Sequence, residues 1–240
     1  MTTVAACLLL IYYRKLFSSF YVFLSIVAEW QELPISTIFL NLQRNQFSML
    51  IKYCWWTLWH LTGYVLLPCF VIKIFFRQNI RSYGLGFGDL HQHWRWYLAL
   101  LSPILVLVAL ASFRADFVNH YPFYKQASRS IFDFLCWEVM YLSQFVFLEF
   151  FFRGFILQAL RPALGANAVL IMCVPYLMIH FPKPWLEATG AIFFGLFLGI
   201  LSLRSRSIWG GVAVHTGVAL SMDIIALLQK DALPTRWQPF

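Results

Sequence analysis

The sequence contains few charged residues, and this scarcity excludes most soluble folds. Only 12% of its 240 residues are Asp, Glu, Lys or Arg, whereas a soluble domain carries about 25%. No polar stretch is long enough to form a separate soluble domain. The apolar runs are also much longer than the ~10 alternating residues of a membrane barrel strand. We therefore predict an all-α fold, a polytopic transmembrane helical bundle with about six to eight spans.

Several familiar binding motifs are also missing. The five cysteines form no CxxC pair, which argues against a zinc ribbon or a disulfide framework. The glycine-rich stretch from Tyr83 to Gly88 lacks the Lys-Ser/Thr ending of a phosphate-binding loop. The net charge of +8 is typical of Lys and Arg in loops that face anionic lipid. Because no soluble module presents a basic face, we predict no nucleic-acid partner.

Long apolar runs fill most of the chain and predict its spans. The run from Ile131 to Leu160 would rise ~45 Å as one helix, longer than a ~30 Å bilayer core, so it must tilt, kink or protrude. Pro103 predicts a kink in the run from Trp96 to Phe113. The predicted spans are Tyr53–Ile72, Trp96–Phe113, Ile131–Leu160, Ala166–Phe181, Leu186–Leu203 and Ile208–Leu228.

The N-terminal region allows two interpretations. Apolar residues run from Val4 to Tyr13 and again from Leu16 to Ala28, with Arg14 and Lys15 between them. This pattern fits one tilted span interrupted by two cations, or a short span followed by an interfacial helix. The more polar stretch from Glu29 to Ser48 reads as a loop or a surface helix.

A glutamate and an arginine stand inside the longest apolar run. Each ionisable group in a bilayer core costs at least ~2.5–3.5 kcal/mol, so it usually has a partner or a role. Arg153 follows Glu149 by four residues, about one helical turn, with the acid first, which is the better order for an ion pair. The pair could simply fix helix packing. Further ionisable residues in or beside downstream apolar runs favour a functional site instead: His180, Glu187, His215 and Asp223.

An acid, a cation and two histidines around one cavity suit the hydrolysis of an amide bond. A carboxylate in a dry site has a raised pKa and can take a proton from water. An imidazole can donate to the oxyanion that develops on the scissile carbonyl. Glu187 has an alternative role, since it stands in the first turn of its predicted helix, where the helix dipole favours an acid. No serine or cysteine stands in an obvious nucleophile context, so activated water is expected.

These residues resemble the CAAX protease and bacteriocin-processing family of intramembrane endopeptidases. Glu149 to Gly154 is similar to the end of its EExxxR motif, and Tyr176-Leu-Met-Ile-His180 is similar to its FxxxH motif. His215 resembles the histidine of its HxxxN/D motif. The resemblance covers residues 121–228, and it implies a membrane-embedded, protease-like domain over residues 53–240. Residues 1–52 would then be an N-terminal membrane segment and surface loop.

The sequence departs from the family pattern at two positions. Leu148 replaces the first glutamate of EExxxR, which the family uses to activate water, and Ala219 replaces the Asn or Asp of HxxxN/D. Glu149 or Glu187 would then have to act as the base, and Asp223 could replace the missing polar group one turn later. The stretches His180-Phe-Pro-Lys-Pro and Met222-Asp223 are similar to a single-glutamate branch of the family.

The resemblance implies an intramembrane endopeptidase with catalytic Glu149, His180 and His215, supported by Arg153, Glu187 and Asp223. Its substrates would be membrane-anchored proteins or peptides, and the chain would lie in the bilayer of a bacterial cytoplasmic membrane. The family implies no metal or other cofactor, although His180, His215 and a carboxylate could hold zinc with one open position.

Two other functions remain open. A non-catalytic family member, acting as a membrane scaffold or immunity-type binding protein, would explain Leu148. A small transporter with a proton-linked carboxylate would explain the buried charges, but the sequence shows no two matching halves.

Overall fold

The computed structural model describes residues 1–183 and 185–239, except for the side chains of residues 185–187. Within these residues the chain is helical and contains no β-strand, as the sequence predicts. Two π-helical segments and two 3-10 turns interrupt or extend the helices: Thr62–Leu66, Phe150–Ile156, Ile80–Ser82 and Gly165–Asn167. The α-helices are α1 (Thr2–Arg14), α2 (Phe17–Trp30), α3 (Ile35–Arg44), α4 (Ser48–Leu61), α5 (Leu67–Ile74), α6 (Leu90–Ala111), α7 (Ala115–His120), α8 (Ile131–Glu149), α9 (Leu157–Leu164), α10 (Ala168–Met178), α11 (Trp185–Ser205) and α12 (Trp209–Gln229).

Five continuous helical stretches are long and apolar enough to cross a membrane. Helices α1 and α2 add a sixth candidate if they form one span, although the chain bends by 75° between them. The total agrees with the lower end of the predicted six to eight spans. The five stretches are Ser48–Ile74, Leu90–Ala111, Ile131–Met178, Ala188–Ser205 and Trp209–Gln229.

The stretch Ile131–Met178 contains two legs rather than one straight helix. The rings of Phe152 and Tyr176 lie 5.2 Å apart, whereas 24 residues of straight helix would separate them by ~36 Å. The chain reverses at Gly165, where φ is +56°, a conformation that glycine adopts without steric cost. The separate spans predicted over Ile131–Leu160 and Ala166–Phe181 correspond to these two legs.

The chain divides into two compact units. The first comprises Met1–Gly63, Ala111–Gln144 and Met222–Phe240, and the second comprises Tyr64–Leu110 and Phe145–Ser221. Each unit therefore combines segments that are distant in sequence. The domain boundary expected after residue 52 stays a prediction.

In the first unit, a buried carboxylate connects the start of α8 to the loop that precedes this helix. Asp133 is completely buried and accepts two hydrogen bonds from Arg129, at 2.8 and 2.7 Å. The hydroxyls of Tyr124 and Ser130 also donate to it, at 2.6 and 2.7 Å. Arg129 continues this network by donating to the carbonyl of Gln46 at 2.9 Å. These charge-assisted bonds offset the cost of burying Asp133.

In the second unit, two glycines of α11 allow a close approach to α10. A Cβ on Gly195 would lie 3.0 Å from Sγ of Cys173, and one on Gly199 would lie 2.8 Å from Cγ1 of Val169. Small residues spaced in this way let two membrane helices pack with their backbones close together. This contact fixes α10 against α11 and so determines where Tyr176 lies.

Candidate functional site

The candidate site lies in the second unit and is centred on Glu149, the last residue of α8. Its side chain is completely buried. Its Oε1 lies 3.1 Å from Nη1 of Arg153 and 2.9 Å from Nδ1 of His215. The angles of these contacts are poor for hydrogen bonds, and neither carboxylate oxygen makes a well-aligned hydrogen bond to any residue that the structure describes. The carboxylate is therefore stabilised mainly by charge, and Oε2 keeps its hydrogen-bonding capacity.

Arg153 lies in the π-helical segment Phe150–Ile156, directly after Glu149, and is also completely buried. Its guanidinium carbon lies 4.2 Å from the centre of the Tyr176 ring, a cation–π distance. Its Nη2 donates a long hydrogen bond of 3.4 Å to the carbonyl of Phe194. The carboxylate, the aromatic face and the carbonyl together offset the cost of burying this cation.

Gly154 allows this segment to pack closely against the loop before α6. A Cβ at Gly154 would lie 2.7 Å from the carbonyl oxygen of Tyr83. π-Helical turns inside α-helices are often found at functional sites. Here Arg153 lies in the π-helical segment and contacts the carboxylate of Glu149, four residues earlier.

His215 is contacted from four directions. Its ring stacks against Phe145, with centroids 5.6 Å apart, and lies beside Phe194 at 5.8 Å. Its Nδ1 faces the carboxylate of Glu149, and its Nε2 lies 3.2 Å from the hydroxyl of Tyr176. The side chain is 13% exposed, so it is the part of the Glu149 ion-pair network that reaches toward the protein surface.

His180 lies one helical turn after Tyr176 and extends the same group of side chains. Its Nδ1 is 2.8 Å from the carbonyl of Tyr176, and since a carbonyl can only accept, this nitrogen must carry a proton. The two rings are 4.7 Å apart. His180 is half-buried. Tyr176 therefore connects the two histidines, because its hydroxyl meets His215 and its backbone meets His180.

Gly211 makes room for the carboxylate of Glu149. A Cβ at this position would overlap Oε2 and would lie 2.6 Å from Cδ of Glu149. Gly211 and His215 are one turn apart on α12, so the same face of this helix supplies both the space and the histidine. A carboxylate could not occupy this position beside any other residue type.

Four of the predicted site residues are thus brought together in one unit: Glu149, Arg153, His180 and His215. Asp223 belongs to the first unit, where it is completely buried and accepts a 2.7 Å hydrogen bond from Nε1 of Trp137. Its carboxyl group also interacts with that of Glu138. The contacts that the structure gives Asp223 are therefore with α8. The side chain of Glu187 lies outside the described residues.

The residues that the structure describes contain no group of three or more His, Cys, Asp and Glu side chains arranged to hold a metal ion. At the alternative zinc site, His180 and His215 would each have to direct one ring nitrogen at the same ion. Both ring nitrogens of His215 instead face protein groups, the carboxylate of Glu149 and the hydroxyl of Tyr176.

Sequence reasoning missed three contributors to the site, the rings of Phe145 and Phe194 and the glycine at 211. Nothing in the sequence distinguishes these two phenylalanines from the others, since the chain has 25. Gly211 could have been suspected from the sequence, since a Gly-Gly pair stands near the start of the last apolar run, one turn before a histidine. Tyr176 stands where the FxxxH motif has phenylalanine, yet its hydroxyl contacts His215.

Comparison with known proteins supports the resemblance. Residues 130–221 match the family model described as type II CAAX prenyl endopeptidase Rce1-like. The match confirms the family likeness seen in the motifs, and the matched region contains Glu149, Arg153, Tyr176, His180 and His215. It covers less than half of the chain. No curated protein and no solved structure matches this sequence.

Proposed function

We propose, on the basis of the match over residues 130–221, that this chain is an intramembrane endopeptidase in which Glu149 activates water. Its substrates are membrane-anchored proteins or peptides of a bacterial cytoplasmic membrane, cut near the bilayer surface. The observation that supports the proposal is the position of the Glu149 carboxylate, completely buried and shared between Arg153 and His215.

The proposed reaction begins at Oε2 of Glu149, because the ion-pair distances to Arg153 and His215 are both to Oε1. This oxygen takes a proton from a water molecule, whose oxygen forms a bond to the carbonyl carbon of the scissile peptide. The tetrahedral intermediate then collapses, the C–N bond breaks, and the leaving nitrogen takes the proton back from the carboxylic acid. Glu149 is regenerated, and one water molecule is consumed for each peptide bond.

Arg153 and the histidines have separate roles in this proposal. Arg153 holds Oε1 of Glu149 and so fixes the rotamer of the base. His180, which is half-buried beside Tyr176, donates in this proposal to the oxyanion that develops on the carbonyl. His215, in contact with both Glu149 and Tyr176, stabilises the carboxylate.

Substrate access requires a change in the site. Because Glu149 is completely buried, water and a peptide reach Oε2 only when side chains around it move. In this proposal they enter past His215, whose side chain is 13% exposed. Loops and side chains of enzyme sites often open and close in this way during turnover.

The same burial favours a second candidate, a non-catalytic membrane scaffold. An arginine, a histidine and a glutamate that are buried together and paired by charge can act simply as a packing device. The replacement of the first motif glutamate by Leu148 fits this alternative. The two candidates differ in whether the carboxylate of Glu149 is needed for peptide-bond cleavage.

The experiment compares cells that express the wild-type chain, Glu149→Gln or Glu138→Gln. The termini of membrane proteins are identified by mass spectrometry. Glu138→Gln is a matched control, since it makes the same change in a buried glutamate of the same helix outside the candidate site. New termini should appear with the wild type and with Glu138→Gln and disappear with Glu149→Gln.

Identical termini in all three samples would refute the endopeptidase proposal and favour the scaffold function. Equal amounts of folded protein, checked by size-exclusion chromatography in detergent, are required for the comparison. Arg153→Lys, which keeps the charge but loses the planar fork of donors, should lower the amount of the new termini without abolishing them.

A further inference from the structure

The hydroxyl of Tyr176 is a polar group for which the proposed reaction has no role. Tyr176 is almost completely buried, and its hydroxyl lies 3.2 Å from Nε2 of His215. A phenylalanine at this position would fill the same space and keep the same aromatic contacts with Arg153, Phe152 and His180. The hydroxyl adds its contact with His215 and an interaction with the side chain of Arg153.

The two partners of His215 determine which of its nitrogens carries the proton. A carboxylate can only accept hydrogen bonds, and a lone pair on Nδ1 would repel Oε1 of Glu149 at 2.9 Å. Nδ1 therefore carries the proton in the neutral imidazole. Nε2 then has the lone pair, and the hydroxyl of Tyr176 donates to it. The contact with Glu149 selects this tautomer. The hydroxyl of Tyr176 can donate or accept, and by donating to Nε2 it satisfies the lone pair that this tautomer leaves there.

Arg153 strengthens the hydroxyl as a donor. Its guanidinium carbon lies 4.2 Å from the centre of the Tyr176 ring. A positive charge at this distance favours negative charge on the phenol oxygen, so the O–H group is more readily polarised toward an acceptor. Arg153 thus acts on Glu149 directly and on His215 through Tyr176.

The next position on the same face of α12 supplies no polar partner. Ala219 follows His215 by one turn and is nearly completely buried. Since its methyl group cannot form a hydrogen bond, the orientation of the imidazole depends on contacts from other helices. Tyr176 on α10 provides such a contact at Nε2.

We infer that Tyr176 is a positioning residue, whose hydroxyl holds His215 in the tautomer that presents Nδ1–H to Glu149. This inference deepens the proposed function and rests on it for its catalytic consequence. The geometric part can be tested without any substrate.

The test is nitrogen-15 NMR of histidine-labelled protein in detergent, with His215→Gln used to assign His215 among the six histidines. In the wild type, we expect the His215 proton on Nδ1 and an Nε2 resonance typical of a hydrogen-bonded lone pair. In Tyr176→Phe, the Nε2 resonance should move to the position of a lone pair without a donor, and the population with the proton on Nδ1 should fall.

Tyr97→Phe is the matched control. Tyr97 is another buried tyrosine of the same unit, and its hydroxyl lies 3.1 Å from Oγ of Ser205 rather than a histidine. This variant also loses one buried hydroxyl but should leave the His215 resonances unchanged. Identical His215 resonances in the wild type and in Tyr176→Phe would overturn the inference.

Activity provides the second measurement, once Glu149-dependent cleavage has supplied a substrate. Tyr176→Phe should lower kcat about fivefold, the effect of losing one hydrogen bond worth ~1 kcal/mol, with KM unchanged. An unchanged kcat would overturn the catalytic part. If the resonances move as expected but the wild type cleaves nothing, the positioning role stands and the proposed function fails.

Discussion

Replacement of Gly211 by alanine should destabilise the protein through its effect on Glu149. A Cβ at Gly211 would overlap Oε2 and would lie 2.6 Å from Cδ of that carboxylate. The carboxylate cannot stay in place, and moving it away lengthens its contacts with Arg153 and His215. The substitution therefore disturbs the whole site although Gly211 has no functional group.

The expected magnitude follows from three contributions. Overpacking a buried position costs about 1–3 kcal/mol, and weakening a buried ion pair adds part of the ~3–5 kcal/mol that breaking one costs. Replacing glycine by alanine inside a helix stabilises the helix by up to ~1 kcal/mol. We expect a net loss of about 2 kcal/mol in the free energy of unfolding.

A double-mutant cycle in a fixed detergent tests this reasoning by thermal or denaturant unfolding. Gly211→Ala should lower stability by about 2 kcal/mol in the wild-type background and raise it by up to ~1 kcal/mol in a Glu149→Ala background, where the carboxylate is absent. The difference, a coupling of up to about 3 kcal/mol, measures the effect of the clash on the carboxylate and its ion pairs. Gly190→Ala is the control, since a Cβ at Gly190 meets nothing within 4 Å. An equal loss in both backgrounds would refute the argument.

Two further predictions concern packing in each unit. Asp133→Ala should lower the stability by about 2–3 kcal/mol, because Arg129 loses its carboxylate partner and two buried hydroxyls lose their acceptor; Asp116→Ala, at an exposed ion pair, should cause no detectable change. Gly199→Leu should push α10 and α11 apart and lower the Tm, whereas Gly190→Leu in the same helix should not. Equal effects within either pair of variants would contradict the packing described.

The sequence alone determined the last two spans to within two residues at each end, whereas the span predicted as Trp96–Phe113 begins six residues earlier, at Leu90. The last apolar run was predicted as Ile208–Leu228 and is helical over Trp209–Gln229, and the run predicted as Leu186–Leu203 is helical over Trp185–Ser205. Such boundaries follow from composition, because a segment in lipid must satisfy its backbone hydrogen bonds internally. The pairing of Glu149 with Arg153 was equally predictable, since residues four apart on a helix are neighbours.

Tertiary structure decided which of the ionisable residues meet. Nothing in the local sequence brings Glu149 to His215, which are 66 positions apart, or selects Trp137 as the partner of Asp223. These contacts depend on the rotation of each helix and on glycines such as Gly195, Gly199 and Gly211 that permit close approach. A side chain added at any of these three positions would leave the apolar pattern almost unchanged but would move the helices. Hydropathy therefore identifies the spans, and the fit of their surfaces brings Glu149, Arg153, Tyr176 and His215 together.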